Sequence, residues 1–192
     1  MFKRSFTLIE LIVVIAIIAI LAAIIAPNAF QAIEKAKIIE AIGDFKTLKT
    51  AIYALYADTG HWMTDHHTRS YIYLGDNPNR SWYNTHDLIE DNNSYTGWDG
   101  PYLEKVKGKT PWKGSYAVCG GCSWGVFSNK NIALEFEDVC YNPADGGNGA
   151  CPMPSSSRDR IDEKVDDGDR SSGDFRGGSD VHWILVKDVY DF

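Results

Sequence analysis

The chain has 192 residues, of which 44% are hydrophobic and 12% aromatic, enough for one ordinary folded domain plus an appended element and too few for two full domains. A formal charge of −7 argues against broad binding to nucleic acid or to anionic lipid headgroups, and scattered rather than repeated Gly and Pro argue against a fibrous or disordered chain.

Met1 to Ser5 carry Lys3 and Arg4, and from Phe6 to Ala26 the only charged side chain is Glu10. About 21 residues at about 1.5 Å each give roughly 31 Å of helix, which matches the hydrocarbon thickness of a bilayer. Lys3 and Arg4 place the N-terminus on the cytoplasmic side, so the residues after Pro27 are expected to be exported. Loss of those two charges by processing takes the balance to −9, since 19 basic residues less 2 then face 26 acidic ones. A secretory signal ending near Ala22-Ala23 or Ala26, or a plain anchor, has the same apolar core. Neither has a use for Glu10, because a carboxylate inside an apolar span costs about 3 kcal/mol or more unless it is protonated or paired.

The run Ser5-Phe6-Thr7-Leu8-Ile9-Glu10-Leu11 resembles the leader of type IV pilins and of type II secretion pseudopilins. The resemblance implies cleavage by a prepilin peptidase between Ser5 and Phe6 and methylation of the new Phe6 amine. It also implies an assembly role for Phe6 and Glu10, in which the ammonium of one subunit neutralises the carboxylate of its neighbour and sets the axial register. Ser5 departs from the Gly usual in that family. Pro27 stands where many pilins carry proline, and its missing N–H predicts a kink or a melted turn.

Beyond Pro27, Ile38, Ala41, Phe45, Leu48, Ile52 and Leu55 recur at three- and four-residue spacing, which predicts an amphipathic helix stopped at Asp58-Thr59-Gly60. Its apolar stripe suits either a coiled-coil seam or, as the commoner use, the sheet of its own domain. Alternation at Ile132, Leu134 and Phe136, and at Val181, Trp183 and Leu185, predicts strands, and Gly114 to Val118 and Ser123 to Phe127 are candidates for two more. The fold class is α+β: a long N-terminal helix packed on a small antiparallel sheet, as in pilins. The expected divisions are a leader at 1–5, a membrane and filament-core helix at 6–27, an amphipathic helix at 28–60 and a globular head at 61–192.

Gly97-Trp98-Asp99-Gly100-Pro101-Tyr102-Leu103 with Thr110-Pro111-Trp112-Lys113-Gly114-Ser115-Tyr116 resembles a loop of GspG-type major pseudopilins, although Thr110 replaces the usual Asp and Lys113 intrudes. Gly-Pro turns and aromatic side chains laid on a sheet account for the same residues without chemistry.

Four cysteines, Cys119, Cys122, Cys140 and Cys151, fall in the exported part, where disulfides form; the local pairs are preferred, other pairings stay open, and a four-thiolate zinc site is the alternative. Asp166, Asp167, Asp169 and Asp174 lie in an acidic stretch rich in oxygen donors, which suits calcium and equally a solvated turn without metal. The stretch resembles the C-terminal loop in which GspG-type pseudopilins hold calcium. His61, His66 and His67 with Asp65 make a poor metal signal. No nucleophile elbow, phosphate loop or paired carboxylates seat a catalytic reaction, so the chain is not expected to be an enzyme.

These readings converge on a structural filament subunit that needs no cofactor other than a possible Ca2+. Its expected partners are other copies of itself, a prepilin peptidase, the assembly platform, minor pilins or pseudopilins and the membrane, with no nucleic acid. The expected location is a single pass through the cytoplasmic membrane with an exported head, followed by assembly into a periplasmic pseudopilus or an extracellular pilus. A type II secretion pseudopilin, a surface pilin for adhesion or motility, and a membrane-anchored binding module are the competing functions.

Overall fold

Helix α1 runs Leu8–Thr59 in the computed structural model, which describes residues 7–62, 71–74, 86–91, 94–105, 107–120, 131–137, 139–142, 147–150, 153–177 and 181–188. The chain divides into two compact units, Met1–Lys37 and Ile38–Phe192. In the first unit the apolar side chains of α1 are exposed on every side, with Leu8 at 77% and Ile24 at 62% of full exposure. A helix that is apolar all round belongs in an apolar surrounding, and this one is long and apolar enough to cross a membrane. The helix also runs on through Pro27, so the melted turn predicted there is not found. The ring already holds a helical φ and removes one hydrogen bond, while the turns on either side keep theirs.

In the second unit the predicted stripe is buried as a set: Ile38, Ala41, Phe45, Leu48, Ile52 and Leu55, joined by Ala51. Gly60 ends the helix at φ +72°, its N–H donating to the Tyr56 carbonyl at 2.8 Å, a left-handed cap that glycine adopts without strain. The stripe covers an antiparallel sheet of order β1-β2-β3-β7-β6, formed by β1 Tyr71–Leu74, β2 Ser115–Gly120, β3 Asn131–Glu137, β6 Phe175–Gly177 and β7 Val181–Asp188. Phe45 of α1 meets Phe136 of β3 edge-on at 3.9 Å between ring centroids and Tyr116 of β2 at 6.0 Å. A separate two-stranded ribbon pairs β4 Val139–Asn142 with β5 Gly147–Ala150. The α+β class and the long apolar helix are as the sequence predicts.

Two features depart from the prediction. Alternation along 132–137 implies one wet face, yet Ala133 and Glu135 are as buried as Ile132, Leu134 and Phe136, so β3 is covered on both faces. The stretch read as an acidic loop begins as a helix, α2 Ser155–Val165. Its first turn is held by the Pro154 carbonyl, which accepts from Ser157 N–H and Arg158 N–H, and by buried Arg158, whose Nε and Nη2 both donate to the Met153 carbonyl at 2.9 Å. The strand proposed at Ser123 to Phe127 lies outside the described residues.

Candidate assembly site and acidic turn

The first turn of α1 is closed by its own side chains. The N–H and hydroxyl of Thr7 each donate to Glu10 Oε2 at 2.8 Å, and Glu10 N–H returns a 3.4 Å contact to Thr7 Oγ1. With Leu8 as the first helical residue, Thr7 is the N-cap and Glu10 the third position, a capping box that satisfies orphan donors at both residues. Thr-x-x-Glu is a readable signature, and the sequence reading missed it by seeking a partner for Glu10 only in another subunit. Of the residues assigned to processing and assembly, Glu10 therefore sits at the helix start with one carboxylate oxygen engaged, whereas Ser5 and Phe6 lie outside the described residues.

At the other end of the chain, α2 gives way to a turn built from carboxylates. Asp166 accepts the N–H groups of Asp174 and Phe175, drawing β6 back onto the helix end. Asp167 accepts from Asp169 N–H at 2.8 Å and Ser172 hydroxyl at 2.7 Å, and these donors hold its carboxyl below the ordinary range. Asp169 is lowered by the hydroxyl and N–H of Ser171. Asp162, one helical turn before Asp166, behaves oppositely. It is 0% exposed, Oδ1 accepts Gly168 N–H at 3.2 Å, and Oδ2 is buried without a hydrogen bond. Burial pushes its carboxyl up; the Gly168 N–H pulls against this, and the charges of Asp166, Asp167 and Asp169 add to the rise.

Asp162, Asp166 and Asp167 each bring one carboxylate oxygen within 4.8 Å of the others. Of the four residues marked from sequence, Asp166 and Asp167 are thus brought together, while Asp169 and Asp174 stay outside this group of three. Asp162 was missed because the stretch was taken as loop; the i, i+4 spacing of Asp162 and Asp166 on a helix is the signal that finds it.

Cys119 is fully buried in β2 and disulfide-bonded. Cys122 and Cys151 lie outside the described residues, and Cys140 is described by its backbone in β4 alone. His61 stacks on Tyr95 at 5.4 Å, and His66, His67 and Asp65 fall outside the described residues. The aromatic loop is tied to the head by hydrogen bonds from Trp98 Nε1 to the Asp87 carbonyl and from Tyr102 N–H and Leu103 N–H to the Leu88 carbonyl. Thr110 N–H donates to the Gly114 carbonyl, and Trp112 is buried beside that turn, so these residues pack and make turns as the simpler reading has it.

Residues 1–26 match the family model described as the prokaryotic N-terminal methylation motif. Residues 32–123 match the one described as PilW, C-terminal. No curated protein matches the chain. With an exposed apolar helix that starts beside Glu10 and an α+β unit after it, the two matches support a type IV pilin-like protein whose helix fits membrane anchoring with an exported head.

Proposed function

We propose that the chain is a structural subunit of a type IV-like filament, in the finer reading a type II secretion pseudopilin, and not an enzyme. The observation that carries this is the single carboxylate, Glu10, at the head of the otherwise apolar and exposed stretch of α1 from Leu8 to Ala26, whose sequence matches the methylation motif. In this reading a prepilin peptidase cuts between Ser5 and Phe6 and the Phe6 amine is methylated. Glu10 then neutralises the Phe6 ammonium of a neighbouring copy inside the filament core. The likeness of the Gly97 to Tyr116 loop to GspG-type pseudopilins favours the secretion filament over a surface pilus used for adhesion or motility. The cysteines are proposed to pair locally, Cys119 with Cys122 and Cys140 with Cys151; β4 and β5 support the second pair by placing Cys140 opposite Gly149, two residues before Cys151.

Mass spectrometry of the chain expressed with and without a prepilin peptidase tests both proposals. A methylated N-terminal Phe6 that depends on the peptidase, with no free thiol in the unreduced protein, is the expected result. Cleavage near Ala23 or Ala26, or none, would return the chain to the class of secreted or membrane-anchored binding modules.

A second reading adds Ca2+ at the acidic turn. Its support is the buried, unpartnered Oδ2 of Asp162 beside Asp166 and Asp167, a group that a cation would satisfy with loop carbonyls and water completing six to eight oxygen ligands. Added calcium is expected to raise the Tm of the detergent-solubilised chain. Asp162→Asn is expected to abolish that rise, and a Tm indifferent to both calcium and chelator would remove the metal from the account.

A further inference from the structure

Exposed charge in the second unit is sorted into two patches of opposite sign. The loop before β2 carries Lys105, Lys107, Lys109 and Lys113 against Glu104 alone. Lys107 is engaged by Glu40 and Asp44 of α1, whereas Lys105, Lys109 and Lys113 are exposed and make no ion pair among the described residues. The turn before β6 is the reverse. From Asp162 to Asp174 it holds six carboxylates against Lys164 and Arg170, and Arg170 is bridged to Asp159 at 2.9 Å. The carboxylates of Glu163 and Asp174 are exposed there and take no hydrogen bond or ion pair among the described residues. Asp162 Oδ2 is buried with no hydrogen bond, so the turn is short of positive charge.

The two patches lie on opposite sides of this unit. The lysine loop is fastened to Asp44 through Lys107, and the acidic turn lies by Tyr53, whose phenol is pushed up by burial and then by the charge of Asp174. Asp44 and Tyr53 are nine residues apart, about two and a half turns and about 14 Å along α1, which puts them on opposite sides of the helix. In the sheet, β3 and β7 stand between β2 and β6, a spacing of about 14 Å. The patches of one copy therefore do not neutralise each other.

We propose that the lysine loop of one copy docks on the acidic turn of a second copy, joining successive heads head-to-tail by charge. The proposal rests on the filament reading above. Because the two surfaces differ and lie apart, the contact is heterologous: engaging one leaves the other open to a further copy, and the series extends as an open polymer. Each exposed pair is weak and is screened beyond about 8 Å in physiological salt, so the patches act at contact and select which faces meet.

The experiment uses filaments of the full chain, assembled from a mixture of isotope-labelled and unlabelled copies and treated with a zero-length carbodiimide, which links lysine amines to carboxylates in contact. Mass spectrometry is expected to find mixed-isotope peptides joining Lys105, Lys109 or Lys113 to Glu163, Asp169 or Asp174. Lys105→Glu with Lys109→Glu, and separately Glu163→Lys with Asp174→Lys, are each expected to lower filament yield about tenfold, and the chain carrying all four changes to recover it. The wild-type cross-links decide the matter even where a variant fails to fold. Filaments without those cross-links, or a fourfold reversal that assembles no better than either pair, would overturn the docking and leave the filament reading standing. Loss of yield from the lysine reversals alone would remove the second copy as the occupant and assign the loop to another acidic surface, such as anionic headgroups. A wild-type chain that is cut near Ala23 and forms no filament would overturn both.

Discussion

Gly173 has φ +69°, and a Cβ there would overlap the Asp166 carboxylate that holds the N–H groups of Asp174 and Phe175. Backbone conformation and side-chain space both require glycine. Gly173→Ala is therefore expected to lower stability by about 2 kcal/mol or more, read from the urea midpoint of the detergent-solubilised chain. Gly43 supplies the control, since it is helical and a Cβ there meets nothing within 4 Å. Gly43→Ala is expected to raise stability by about 0.5–1 kcal/mol. An equal response at the two sites would mean that the Asp166 turn does not hold β6. Sequence marked Asp166 as a metal donor, but its work as a brace on backbone N–H groups depends on where β6 begins, which three residues cannot announce by their pattern.

At the scale of elements, the second part of α1 was the most legible, because six apolar positions at helical spacing are a long signal and Gly60 is an unambiguous stop. Helix α2 was not legible: its one fully buried apolar side chain is Ile161, its first turn is three serines without a side-chain cap, and it is held instead by Arg158 on Met153. Strands β1 and β6 are too short to show alternation, and Glu135 misled because a buried carboxylate reads as a solvent-facing one. The polar clamp between α1 and the head was likewise invisible. Lys107 bridges Glu40 and Asp44 on α1, and Tyr116 donates its hydroxyl to the same Asp44 at 2.7 Å.

That clamp makes stability fall in alkali. Burial opposes the charge on Lys107, but hydrogen bonds and charges from Asp44 and Glu40 outweigh it and hold the ammonium above its ordinary value. Burial, followed by the hydrogen bond to Asp44, pushes the Tyr116 phenol far up. Both groups keep their protons in the folded chain to higher pH than in the unfolded one, where they titrate near about 10. Stability is then fully present below about pH 10 and is lost as pH climbs toward the raised folded values. Tyr116→Phe is expected to make the fall of Tm above about pH 10 shallower. An unchanged alkaline slope would show that Tyr116 does not stay protonated in the folded state.

For the whole molecule, the two units answer to different solvents. The hydrophobic core is drawn from Ile38 and residues after it, from α1 through the sheet to Ile161 and Phe175. Before Ile38 the large apolar side chains, from Leu8 to Ile33, are exposed. Burying a side chain of that size is worth about 1.5–3 kcal/mol, so water penalises the first unit while contributing nothing to it that the second unit needs in order to fold. A chain begun at Ala29 is therefore expected to be soluble without detergent and to melt in one cooperative transition, followed by circular dichroism. The full chain should need detergent or membrane, because its exposed stripe is far larger than soluble monomers tolerate. If the shortened chain aggregates, or shows no cooperative melt after its disulfides have formed, then the first unit contributes to the fold of the second, and the separation of anchor from head is wrong.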